Sequence, residues 1–152
     1  MVVGLAMLIG CSANLPDRPS ARSVQREADR WLVGWRGVAN TVAEDKSLRT
    51  HVLTQICSGD AEWVGVASRL LLTVYAHLNE ELSSALAVAL LHSPAEVLRV
   101  LHPDVCQVPD DLPPACDVAH WRKRAEAALA SVADTDLQKA KQQCENVLRT
   151  GK

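Results

Sequence analysis

The 152-residue sequence predicts an all-α protein, a compact bundle or a stack of antiparallel hairpins of six to seven short helices. Three observations carry this. Apolar residues recur at spacings of three and four, which stacks their side chains on one face of a helix. Capping residues stand between the apolar runs. No stretch alternates apolar and polar residues over the length of a strand.

Ser20 or Ser23 can cap a first helix, whose apolar positions Val24, Ala28, Trp31, Trp35, Val38 and Val42 are the clearest periodicity in the chain. Gly34 and Gly37 weaken it, each by about 1 kcal/mol relative to Ala, so the helix bends there or another element approaches closely. Ser47 can cap a second helix with Leu48, Val52, Leu53 and Ile56, closed by Ser58-Gly59. Asp60 then restarts the chain. The third helix, Trp63 to Leu78, is apolar on more than one face and is predicted to be central.

Asn79, followed by Glu80 and Glu81 where the helix dipole favours negative charge, starts a fourth helix through Leu82, Leu86, Leu90 and Leu91. Ser93-Pro94-Ala95-Glu96 combines an N-cap, a Pro at the first helical position and the Glu of a capping box, opening a short fifth helix that His102-Pro103 ends. A proline-bearing loop, Asp104 to Ala115, follows. Asp117 caps a sixth helix with Trp121, Ala125, Leu129 and Val132. Thr135-Asp136-Leu137-Gln138 is a second capping box, opening a last helix with Ala140, Cys144, Val147 and Leu148. Starts at Asp60, Ser93 and Asp134 hint at repetition, but no residue pattern recurs as a repeat family does.

Composition narrows the class. Hydrophobic residues make up 48% and charged residues 22%, which is globular, and with four Trp, one Tyr and no Phe the core must be mostly Leu, Val and Ala. A net charge of -2 gives no basic footprint for nucleic acid. No GxSxG, HExxH or phosphate-cradling glycine loop is present, so the expectation is a non-enzyme without a cofactor.

Residues 1–10 are uncharged and apolar, too few to cross a bilayer, and Ser12 to Ser20 is polar with Pro16 and Pro19. At the junction stands Leu8-Ile9-Gly10-Cys11, which resembles the lipobox of bacterial lipoproteins: an aliphatic residue at minus three, a small one at minus one and cysteine at plus one. The resemblance implies that residues 1–10 are a removed signal peptide and that Cys11 is the lipid-attachment site. Several acyl chains on Cys11 would make a lasting anchor, since each buried methylene contributes about 0.8 kcal/mol. Residues 11–20 would be a lipidated tether and 21–152 a single helical domain. Ser12 after the cysteine implies the outer membrane, periplasmic face.

Four cysteines remain, Cys57, Cys106, Cys116 and Cys144, an even number that suits an oxidising compartment. The expected pairing is Cys106 with Cys116 and Cys57 with Cys144; pairing of Cys57 with Cys106 or Cys116 stays open. His102, Cys106, Cys116 and His120 form a near-palindrome that could hold zinc tetrahedrally, but i, i+4 pairs need helix and His102 precedes a proline, so no metal is expected.

Asp110-Asp111 and Glu80-Glu81 read as solvated acids, with His77 near the second pair. Arg122-Lys123-Arg124, with Lys139 and Lys141, reads as a solvated face or a headgroup contact. Trp31 and Trp35, one turn apart, read as core or as a docking surface. The expected function is a non-catalytic, outer-membrane-anchored domain that binds an envelope protein. Its size and layout parallel small helical periplasmic inhibitors and immunity proteins. The alternatives are a structural or assembly accessory of the envelope, and a metal-binding protein or enzyme using His102, Cys106, Cys116 and His120.

Overall fold

The computed structural model describes residues 13–30, 34–73, 76–100, 103–109, 113 and 115–151. Among them are eight α-helices, α1 Ala21–Ala28, α2 Gly34–Glu44, α3 Lys46–Cys57, α4 Ala61–Leu71, α5 Ala76–Ala89, α6 Pro94–Arg99, α7 Trp121–Ala130 and α8 Gln138–Thr150. Two 3₁₀ turns, Pro103–Cys106 and Thr135–Leu137, complete the secondary structure, and the described residues contain no strand. The protein is all-α, with closely packed helices.

Several starts follow local chemistry. The Asp60 carboxylate accepts from the amides of Glu62 and Trp63 at 3.0 and 3.1 Å, satisfying two of the donors that a helix start leaves open. Ser20 caps α1 through the Ser23 amide. Pro94 occupies the first turn of α6, where a missing N–H costs nothing. Other starts differ from expectation. Asp45, not Ser47, caps α3, accepting from the Leu48 amide at 3.0 Å. Asp117 is not the cap of α7. It folds the preceding turn by accepting from the Ala119 amide at 2.9 Å and pairs with Arg124, while His120 takes the left-handed N-cap position at φ 54°.

Two helices expected to be continuous are each divided. The first breaks between Ala28 and Gly34, and Gly34 begins α2 with a left-handed φ of 59°. The third ends at Leu71, and α5 starts at Ala76, so Asn79 sits within the first turn of α5 and caps nothing. Centrality moves accordingly. α5 packs on α3, α4, α6 and the first 3₁₀ turn. From Ala85 to Ala89 it is buried at every position. Trp121 pins α7 to it, donating its indole N–H to the buried Ala87 carbonyl at 2.7 Å. Arg49 of α3 reaches Glu81 of α5 at 3.4 Å and donates to the Ala43 carbonyl at 2.7 Å, so α2, α3 and α5 share one guanidinium.

The α3–α4 turn is a close-packed point. Gly59, at φ 76°, lies so near the α5–α6 turn that a Cβ there would meet His92 Cβ and Ser93 Oγ, each at 2.9 Å. The Ser93 hydroxyl could rotate aside, but His92 Cβ is fixed to the backbone and cannot. Gly59→Ala is expected to cost about 2 kcal/mol, from left-handed strain plus the clash, measured as a lower urea midpoint with unchanged slope.

Candidate functional site

The cysteines pair differently from the expected scheme. Cys57 joins Cys116 and Cys106 joins Cys144, with Cα–Cα separations of 6.0 and 5.2 Å. The reason is packing. The 3₁₀ turn holding Cys106 lies between α5 and α8, which sets Cys106 against Cys144 on the buried face of α8. Cys116, ahead of α7, is left for the C-terminal end of α3 at Cys57. The two closed loops are therefore interleaved rather than nested.

This pairing also removes the zinc arrangement, because both of its thiolates are consumed in disulfides to different helices. His120 is exposed at the start of α7, and His102 lies outside the described residues. Among the described residues no cluster of three or more His, Cys, Asp or Glu side chains could hold a metal ion.

Residues 13–20, within the stretch expected as a lipidated tether, form a strap across α1, α2 and α3. The Ala13 amide donates to Thr41 Oγ1 of α2 at 2.9 Å, and the Asn14 amide to Glu27 Oε1 of α1 at 2.9 Å. The Pro19 carbonyl accepts from His51 Nε2 of α3 at 3.0 Å, which fixes the proton on that ring nitrogen. His51 in turn packs edge-on against Trp63. Ala13 and Pro19 are buried. Glu27 is buried too; the Asn14 N–H and, after it, the Arg30 guanidinium 3.2 Å from its second oxygen hold its carboxyl below the ordinary glutamate range.

Of the tryptophan pair, Trp31 lies outside the described residues, and Trp35 is half-buried against the core. A different surface stands out, an open groove of about 750 Å³ between the end of α4, α6 and α8. Leu72, just past α4, is 81% exposed at its edge, the most exposed of the large hydrophobic residues described. Arg69, Arg99 and Lys139 line the same groove, against one lining acid, Asp136. Arg99 is held there by Glu96 and Asp134. The groove thus sets one solvent-exposed leucine beside three cations.

The remaining candidates are dispersed. Arg124 is tied to Asp117, Lys141 donates to the Val132 carbonyl at 3.2 Å, and Arg122 lines a smaller recess of about 260 Å³ beside Trp121 and Cys106. Glu80 is exposed and Glu81 faces Arg49, while Asp110 and Asp111 lie outside the described residues, as does Cys11. Nothing in the sequence pointed to the groove or the strap, because both join residues far apart in the chain. The composition of 13–20 pointed the other way.

No helix among the described residues is long and apolar enough to cross a membrane. The two disulfides suit an oxidising compartment outside the cytoplasm. The chain matches no protein-family model, no curated protein and no solved structure.

Proposed function

We propose that this chain is a lipid-anchored envelope protein whose helical domain binds a partner protein without catalysis. The observation that carries the binding half is the groove between α4, α6 and α8, with Leu72 at its edge and Arg69, Arg99 and Lys139 along it. The partner it fits presents an apolar side chain flanked by acidic groups, since the apolar contact supplies affinity and the cations select for charge. The anchoring half rests on the resemblance of Leu8-Ile9-Gly10-Cys11 to a lipobox, and Ser12 after the cysteine favours the periplasmic face of the outer membrane. The disulfides agree with that compartment.

Leu72→Asp tests the binding half, because at 81% exposure the substitution removes an apolar contact without opening the core. The wild-type soluble domain, used as bait in periplasmic extract, is expected to retain a specific partner that Leu72→Asp loses, with both proteins melting within about 2 °C of each other. Equal retention by the two would place the binding surface elsewhere.

A further inference from the structure

We infer that the domain does not swing on a tether but is held with one face, the α1–α2 corner, directly against the lipid headgroups. The inference rests on the lipoprotein reading above and adds an orientation to it. A ten-residue extended tether from an acylated Cys11 would let the domain sit up to about 35 Å from the membrane. The strap removes almost all of that reach. Ala13, two residues beyond Cys11, is already fixed by its amide to Thr41, and Asn14 is fixed to Glu27. Two residues span at most about 7 Å, so the Thr41 end of the strap must lie at headgroup level when Cys11 carries its acyl chains.

Arg30 suits that position. It pairs with Glu27, the same carboxylate that holds Asn14, yet its side chain remains 67% exposed. Through that shared carboxylate its guanidinium is joined to the strap near the anchor, where it can meet lipid phosphates. The basic run Arg122-Lys123-Arg124 is excluded from this role by its place in the fold. α1 packs on α2 and α4, whereas α7 packs on α8, and α8 on α6 and the two 3₁₀ turns.

Arginine footprinting tests this on native residues. The full chain, acylated and reconstituted in vesicles of phosphatidylethanolamine and phosphatidylglycerol, is treated with phenylglyoxal and mapped by mass. The unacylated Cys11→Ser chain, mixed with the same vesicles, is the reference. Arg30 is expected to react several-fold more slowly in the acylated chain, and Arg122 at the same rate in both. In the double variant Glu27→Ala/Thr41→Val, which frees the strap, Arg30 is expected to react at nearly the same rate with and without the acylated Cys11, a comparison in which the loss of its Glu27 partner cancels, while the helical circular dichroism is kept. Equal Arg30 rates in the acylated and reference chains, or slowing at Arg122 instead, would overturn the orientation with the anchor intact. The acyl mass on the Cys11 peptide is read in the same digest, and its absence would overturn the lipoprotein reading itself.

Discussion

Replacing Cys106 and Cys144 together by Ala is expected to lower the unfolding free energy by about 4 kcal/mol, and replacing Cys57 and Cys116 by a similar amount. The sequence separations of 38 and 59 residues set these magnitudes in the chain-entropy model, and their dependence on loop length is only logarithmic. Either loss is large against the roughly 5–15 kcal/mol that holds a domain of this kind. Because the loops interleave across residues 106–116, the effects will not add: each bridge already limits the freedom that the other removes. Guanidinium unfolding of the paired variants measures both. Paired replacement is needed, since a lone thiol could reshuffle, and a non-reducing peptide map should show Cys57 joined to Cys116.

Leu86→Ala is expected to cost about 3–4 kcal/mol and to lower the melting temperature by about 10 °C. Leu86 is wholly buried in the middle of α5, the helix that α3, α4 and α6 all pack against. Its removal deletes apolar contacts and leaves a cavity that neighbours from several helices cannot all collapse into. Leu72→Ala is the matched control. The same atoms are removed from a side chain 81% exposed, and the change should stay within about 0.5 kcal/mol. A Leu86→Ala protein as stable as the control would contradict the central place given to α5.

The features that could be read in the sequence are those set by neighbours a few residues apart. The Asp60 cap, Pro94 in the first turn of α6, the turn at Gly59 and the all-helical class rest on local backbone chemistry, and the structure has them. The helix breaks were harder to read. Apolar spacing runs unbroken from Trp63 to Leu78 with no Pro and no terminating Gly, so periodicity joins what the structure divides after Leu71. At the first break, Gly34 is visible in the sequence, but its cost of about 1 kcal/mol allows a bend as readily as the left-handed φ of 59° that it adopts. The disulfide pairing depends on which helices meet, and spacing alone could not rank Cys116 above Cys144 as the partner of Cys57. The strap shows the limit most clearly. Pro16, Asp17 and Pro19 have the composition of a linker, yet Thr41, Glu27 and His51 supply hydrogen bonds at places that no local pattern marks.

Location and orientation both depend on Cys11, and its chemistry can be read directly. The full chain is expressed in a Gram-negative cell, its membranes are separated, and the intact mass and the first peptide are measured. Cleavage after Gly10, acyl chains on Cys11 and recovery with the outer membrane are the predicted result, with Cys11→Ser neither acylated nor retained there. A wild-type chain that keeps residues 1–10 with an unmodified Cys11, or that is recovered free of membrane, would contradict the account.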